Sequence, residues 1–260
     1  MKTKLNFFLV KLHIFLTALG LNLNKTLSYR FLWAFNKQRI AFKKAGGKYS
    51  NLYPILDDYK SSAGVAKGHY FHQDLLVATF INKNNPKIHI DVASRVDGFV
   101  AHLASFREVE VIDIRNLPNS HQHTNIKFKQ GDIMNIDDSH VNSCDSLSCL
   151  HAVEHFGLGR YGDDIDPKGH IKGFINLCQM VKSNGTLFIS FPIGAPKIYF
   201  NAHRIFSPED ILSWINEYNI GASIERFDFV DDDGNLHLNK KIDETPELKF
   251  GCGIYTLAIL

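Results

Sequence analysis

The first 56 residues contain no aspartate or glutamate, while ten lysines and arginines fall there, from Lys2, Lys4 and Lys11 to Lys43, Lys44 and Lys48. The formal net charge of +2 therefore hides a basic front and an acidic remainder, and the front is suited to an anionic surface. Cysteine is equally sparse. The four present, Cys144, Cys149, Cys178 and Cys252, form no C-x-x-C pair, which excludes a disulfide scaffold and favours a reducing, cytoplasmic setting. No long apolar run occurs either. The stretch 5–23 is broken by Lys11 and His13, short of the roughly 20 uninterrupted apolar residues that a spanning helix needs, and no A-x-A cleavage signature follows it. Internal repeats are missing too, which excludes solenoids and propellers.

What is present is enough to build one large core. In 260 residues, 45% are hydrophobic, with 20 Phe and 9 Tyr, so global disorder is excluded. In the stretch 5–23, Lys4, Lys11 and Lys25 fall on one helical face and Leu5, Phe8, Leu12, Phe15 and Leu19 on the other, the pattern of an amphipathic helix. A second helical pattern spans 26–44 and stops at Gly46 and Gly47. Two readings fit this segment equally: a helical appendage lying in a lipid headgroup layer, or a lid packed on the main domain. The expected organisation is a basic helical appendage over 1–50 and a catalytic domain over 51–260.

From residue 72 the chain alternates regularly. Helices are expected over 72–82, 97–105 and 168–182, and strands over 87–92, 109–114, 126–129, 143–150 and 186–191. Apolar strands separated by helices imply right-handed crossovers and a parallel sheet covered on both faces. After a helix opened by Ser207, Pro208, Glu209 and Asp210, strands over 224–230 and 253–260 have no helix between them, so they form an antiparallel hairpin at the sheet edge. The fold class is α/β and Rossmann-like.

In such a sheet ligands lie beyond the carboxyl ends of the strands. The first strand ends Asp91-Val92-Ala93-Ser94-Arg95, the second at Asp113, and the third runs into Gly131-Asp132. A carboxylate at Asp113 can accept both hydroxyls of a ribose, and one at Asp132 the exocyclic amine of adenine. Taken singly, each is equally well a turn former or helix cap.

This arrangement over 87–260 resembles the class I S-adenosylmethionine-dependent methyltransferases, whose seven-stranded sheet ends in an antiparallel hairpin. The resemblance implies S-adenosylmethionine as cofactor. Asp91 and the turn Ala93, Ser94 and Arg95 would face its methionine part, Asp113 the ribose and Asp132 the adenine, with Leu150 and His151 at the next strand end. The first loop departs from the family by having D-V-A-S-R where a G-x-G is usual. Three longer strings, HAVEHFGLGRYGD at 151–163, FNAHRIFS at 200–207 and GHYFHQDLLVA at 68–78, resemble domain-of-unknown-function family 268, whose bacterial members often sit among surface-polysaccharide genes.

The loop after the fourth strand concentrates His151, Glu154, His155, Arg160, Tyr161 and Asp163 among three glycines. Methyl transfer to oxygen needs a base of near-neutral pKa, for which His155 and His203 are the candidates, with His151 behind them. Arg160 and Arg204 suit an anionic handle on the acceptor; Glu154, Tyr161, Asp163 and Asn201 would complete its pocket, and Tyr70 or His72 would close it. His151-x-x-Glu154-His155 also fits the zinc-hydrolase pattern H-x-x-E-H, but that motif needs a continuous helix and here follows a strand directly. Quinone O-methyltransferases have a similar segment that holds a divalent ion, so His151, Glu154 and His155 are an optional metal set; the expectation is no metal. His121 and His123 read as solvated.

The sequence thus predicts a cytoplasmic enzyme, peripheral to a membrane, that methylates a sugar or lipid-linked glycan intermediate. A nucleic-acid methyltransferase and a non-catalytic partner with the same fold are the alternatives.

Overall fold

The computed structural model describes residues 15–16, 19–20, 27–118 and 123–260. Most of the amphipathic helix expected over 5–23, and His121, lie outside the described residues. The chain divides into two compact units, the first ending at Val65 and the second running Ala66–Leu260. In the first unit a 3-10 turn, Tyr29–Phe31, leads into helix α1, Leu32–Lys44. Ala34 is buried on it while Trp33, Ile40 and Phe42 are exposed. Phe31 stacks on Tyr59 with ring centroids 5.0 Å apart.

The second unit opens with α2, His69–Asn84, three residues earlier than the sequence pattern suggests. Gln73, Asp74, Val77, Ala78 and Ile81 are its buried residues, the i, i+4 spacing of a helix laid on a core. Next come β1 (His89–Val92), β2 (Val109–Asp113), β3 (Ile126–Gln130), β4 (Cys144–Leu150) and β5 (Val181–Ile193). The helix expected over 97–105 is broken. A π turn, Val96–Val100, with Gly98 outside helical geometry, precedes a one-turn α3, Ala101–Ala104. Helix α4 spans Gly169–Met180 and stops at the β-branched Val181, where the Asn142 and Ser143 amides take the Gln179 and Met180 carbonyls at 2.8 and 2.9 Å.

Two features were not expected. A short hairpin of β6 (Lys197–Tyr199) and β7 (His203–Ile205) follows β5. After α5 (Asp210–Glu217), β8 (Ala222–Val230) and β10 (Gly251–Ile259) are joined by a two-residue edge strand β9 (Leu236–His237). Ahead of α5 the Ser207 hydroxyl accepts the Glu209 amide at 3.4 Å and the Ser207 amide donates to the Asp210 carboxylate at 2.9 Å, a reciprocal pair of the capping-box kind.

The main sheet has the order β3-β2-β1-β4-β5-β10-β8-β9. The β1–β2, β2–β3, β1–β4 and β4–β5 pairs are parallel, and β5–β10, β10–β8 and β8–β9 antiparallel. This is the fold expected, with one extra edge strand. One core packs Phe174, Leu177 and Trp214 of α4 and α5 against Val92, Leu147, Ile189 and Tyr255. The other packs Val77 and Ile81 of α2 and Leu103 of α3 against Val111, Phe188 and Ile254. With both faces covered, the rim at the strand ends is where a ligand can enter.

Candidate functional site

A cavity of about 630 Å³ opens over the carboxyl ends of β1, β2, β4 and β5, the size range of small-molecule sites. One end is lined by Ala93, Asp113, Arg115 and Asp132, the other by His69, His151, His155, Arg160, His203 and Phe250.

Asp91 shapes the turn at the first end. It is fully buried, its carboxylate taking the Ser94 amide and hydroxyl at 3.2 and 3.0 Å and the Ser148 hydroxyl at 2.6 Å. Burial pushes its pKa up to about 7 against those hydrogen bonds. Asp91 is therefore wedged beneath the turn and does not line the cavity. Ala93 has φ +63°, the left-handed conformation that glycine normally supplies. The D-V-A-S-R loop thus takes a glycine-like shape without a glycine. Ser94 and Arg95 line the cavity too, though the Arg95 guanidinium is engaged by Asp97 at 2.9 and 2.6 Å.

Asp113 faces the cavity with its side chain 7% exposed. Its carboxylate accepts the Arg115 backbone amide at 2.8 Å and Nε at 2.9 Å, and the Arg115 guanidinium lies 4.7 Å from the centre of the Tyr161 ring. Arg115 was not singled out in the sequence. A ribose at Asp113 would share that carboxylate with it. Asp132 accepts the Met134 amide at 2.9 Å and the Asn135 side chain at 2.8 Å, so it caps a 3-10 turn while facing the cavity.

At the other end Glu154 is the organiser. It is almost wholly buried, with Oε1 2.9 Å from His151 Nδ1 and 3.7 Å from His155 Nε2. Burial depresses the His151 pKa, but the adjacent Cys252 and Glu154 outweigh it and hold the value well above the ordinary one. For His155 burial wins, and its pKa is lowered against the pull of Glu154. Burial likewise lowers His203 and takes His69 down to about 4. At neutral pH His155 and His203 consequently present lone pairs, whereas His151 holds its proton. His151 also has φ +52°, a strain that recurs at functional positions.

The glycine loop folds around Asp163, whose carboxylate accepts the amides of Gly157, Gly159 and Tyr161 at 2.8, 3.1 and 3.1 Å. The segment 151–155 is a turn and a 3-10 helix, Val153–His155, without the continuous helix that a zinc hydrolase requires.

Three expected acceptor contacts are not made. Arg204 is 3% exposed and points inward, donating to the carbonyls of Glu154, Phe156 and Pro167 at 3.3, 2.7 and 3.3 Å. The β6–β7 hairpin turns it away from the cavity, and Asn201 sits exposed in the tight turn of that hairpin with φ +61°. On α2 the cavity face carries His69, Tyr70, Gln73 and Asp74. His72 is on another face, its ring against Phe71. Phe250, beside His69 and His203 at ring distances of 5.4 and 5.3 Å, carried no sequence signal.

Residues 101–232 match the profile of the family described as Caenorhabditis protein of unknown function, DUF268. The chain belongs to this family. No curated protein matches it. Among solved structures, this DUF268 chain is similar to the Burkholderia thailandensis 1,6-didemethyltoxoflavin-N1-methyltransferase with bound 1,6-didemethyltoxoflavin and S-adenosylhomocysteine: TM-score 0.53, 10% identity, covering 89% of each chain. It is also similar to a Clostridium acetobutylicum S-adenosylmethionine-dependent methyltransferase, with TM-score 0.50 and 14% identity over 87% of this chain and 99% of the other. The [4+2]-cyclase SpnF matches with TM-score 0.52 and 11% identity over 85% and 92%. At these identities the likeness establishes the class I methyltransferase fold. That a cyclase shares it shows that reaction type has to be argued from the site itself.

Proposed function

We propose that the chain is an S-adenosylmethionine-dependent methyltransferase acting on an oxygen of a sugar or lipid-linked glycan intermediate of surface-polysaccharide assembly. The observation that carries this reading is one cavity joining carboxylate-tipped strand ends to a histidine cluster with lone pairs at neutral pH. Asp113 would accept the ribose hydroxyls, Asp132 the adenine amine, and the glycine-like turn at Ala93 leaves backbone room for the methionine part. S-adenosylmethionine supplies a methyl group already activated on a sulfonium, so the acceptor needs only alignment and a base.

His155 is that base. Its Nδ1 donates to the Ala202 carbonyl at 2.6 Å, which leaves the lone pair on Nε2. The acceptor hydroxyl proton would pass to Nε2 as its oxygen takes the methyl group and the sulfonium carbon–sulfur bond breaks, leaving S-adenosylhomocysteine; the Glu154 carboxylate, 3.7 Å from Nε2, would favour the imidazolium formed. Arg160 and Tyr161, on the open side of the cavity, would orient the acceptor, with His203 opposite. An acceptor carried on a lipid fits the ten basic residues of 1–56, since an anionic surface attracts each with roughly 1 kcal/mol.

The test is calorimetry with S-adenosylhomocysteine, followed by transfer of labelled methyl from S-adenosylmethionine to glycan, lipid-linked and RNA fractions. Binding with label in a glycan fraction supports the reading. Label in RNA would move it to a nucleic-acid methyltransferase, and absent cofactor affinity would leave a non-catalytic scaffold.

A further inference from the structure

In the wall of the cavity lies a second arrangement that methyl transfer does not use. One donor atom each from His69, His151 and Cys252 lies within 4.8 Å of the others. They come from three separate elements: the first turn of α2, the loop after β4 and the start of β10. Cys252 is wholly buried, on the sheet face that α2 covers. His69 and His151 line the cavity, and their rings stack at 5.1 Å and 12°.

The orientation of His151 is the second observation. Its side chain is 5% exposed, Nδ1 is engaged by Glu154, and Nε2 is buried without a hydrogen-bond partner. A buried polar atom left unpaired costs roughly 1–3 kcal/mol, so an unpaired nitrogen beside a thiol and a second imidazole calls for an occupant. A carboxylate on the far nitrogen is the usual companion of a metal-bound histidine, fixing ring and tautomer. The His69 ring is in turn held against the Phe250 ring, with centroids 5.4 Å apart. The Cys252 thiol, beside the His151 ring, makes only long contacts to oxygen among the described residues, 3.6 Å to Gln73 Oε1 and 3.7 Å to the Gly253 carbonyl.

We infer that His69, His151 and Cys252 form a site for a borderline-soft divalent metal ion, zinc foremost. Imidazole and thiolate are the ligands zinc favours, at about 2.0–2.1 Å for nitrogen and 2.3 Å for sulfur. A tetrahedral site with those bonds spaces its donors by roughly 3.3–3.6 Å, so side-chain rotation of about 1 Å closes the set. Binding displaces the Cys252 thiol proton and any proton on His151 Nε2. With three protein ligands the fourth position is left to water or an acceptor oxygen, on the cavity side where both histidines stand. This set differs from one built on His151, Glu154 and His155, because Glu154 here orients His151 from behind. The inference does not depend on the methyltransferase reading, and its test involves neither cofactor nor turnover.

Full-length protein stripped with a chelator is titrated with zinc against a chromophoric competitor, then with cobalt(II) as a spectroscopic probe. One zinc per chain is expected, and the cobalt form should show tetrahedral visible bands with an intense near-ultraviolet sulfur-to-cobalt band. Cys252→Ser should abolish the sulfur band, and His69→Ala, at a partly exposed helix start, should weaken zinc binding at least 100-fold while the circular dichroism spectrum is unchanged. Cys178→Ser, in the opposite core, should leave both readouts intact. Absence of stoichiometric zinc, a cobalt complex lacking the sulfur band, or undiminished zinc affinity in His69→Ala overturns the site. So does loss of zinc in His155→Ala with retention in His69→Ala, which would assign the metal to the other set.

Discussion

The Nε2 atom of His155 lies 3.7 Å from Oε1 of Glu154, a carboxylate that burial and the neighbouring His151 fix in place. Burial holds the His155 pKa below its ordinary 6.5, and the Glu154 charge pulls it partly back. Methyl transfer should therefore rise with pH along a limb below 6.5 and be flat at neutrality. Glu154→Gln removes the opposing charge, so that limb moves to still lower pH while the plateau falls. His155→Gln should lower kcat by roughly 10²–10⁴-fold, the usual worth of a positioned general base, with S-adenosylhomocysteine affinity retained. A pH–rate profile of the three proteins checks this; a limb that stays in place in Glu154→Gln would remove the pair from the chemistry.

Asp113 and Arg115 form a clamp at the cofactor end, and the Arg115 ring contact with Tyr161 ties it to the acceptor loop. Hydrogen bonds to a charged group are worth about 1.5–3 kcal/mol, so Asp113→Ala should weaken S-adenosylhomocysteine at least tenfold, and Asp113→Asn less. Arg115→Met frees the carboxylate and should retain cofactor affinity while raising the acceptor KM. Calorimetry and steady-state kinetics separate these effects. Undiminished affinity in Asp113→Ala would mean that the cofactor binds in another register.

The strand-end carboxylates and the His155 loop were legible because a parallel sheet dictates where its ligands lie. β1, β4 and β5 announced themselves by largely buried runs ending in a polar turn, whereas β3 alternates Ile126 and Phe128 with lysines. Arg204 was not legible, because its inward turn depends on the β6–β7 hairpin and on carbonyls of Phe156 and Pro167 far away in sequence. The choice of His69, Gln73 and Asp74 over His72 rests on the phase of α2 against the sheet. Residues 68–78 fix that they form a helix, and only packing selects the face. Phe250, just ahead of the antiparallel strand β10, lines the cavity, and Cys252, buried at the start of that strand, lies beside His69 and His151; no local pattern marks either.

Arg204 acts as a strut. It joins the 3-10 turn holding Glu154 to the far end of the glycine loop, three carbonyls on one guanidinium. Arg204→Met leaves those acceptors buried and unpaired, and Lys cannot reproduce the fork. Both variants should lose roughly 1–3 kcal/mol or more of stability. Gly157→Ala should be as harmful, since φ is +75° and a Cβ there would meet the Asp166 carbonyl oxygen at 2.0 Å. Chemical denaturation measures each loss; a wild-type midpoint in Arg204→Lys would show that charge alone suffices.

Ala93 offers a change of opposite sign. Its left-handed backbone costs roughly 1–2 kcal/mol for a residue with a Cβ, and Ala93→Gly removes that strain at the price of a more flexible unfolded chain. The balance favours the variant by up to about 1 kcal/mol. Its cofactor affinity should match the parent, because the turn already has the shape that glycine would adopt. A lower melting temperature in Ala93→Gly would contradict the strain.

Acid should weaken the fold before it reaches the carboxylates. Burial lowers the pKa of His89 to about 3 and that of His170 to about 4. The unfolded chain takes up these protons from about 6.5 downward while the native chain refuses them. Their contribution to stability is complete above 6.5 and is lost progressively as pH falls toward 4 and then 3. Asp91, raised to about 7, acts oppositely: its contribution is complete below the ordinary 3.8 and is lost as pH rises through 7. His69, taken down to about 4, adds in the same direction, and these histidines outweigh one aspartate between pH 6.5 and 4, so the denaturation midpoint should fall from pH 7 to pH 5. His170 tests this cleanly. Its ring is stacked against Phe206 and edge-on to Trp214, and its Nδ1 is buried without a partner. His170→Phe keeps the aromatic packing and deletes both the orphan nitrogen and the titration. The variant should be at least as stable at pH 7 and should show a shallower acid slope, and a slope equal to the parent's would assign the acid sensitivity elsewhere.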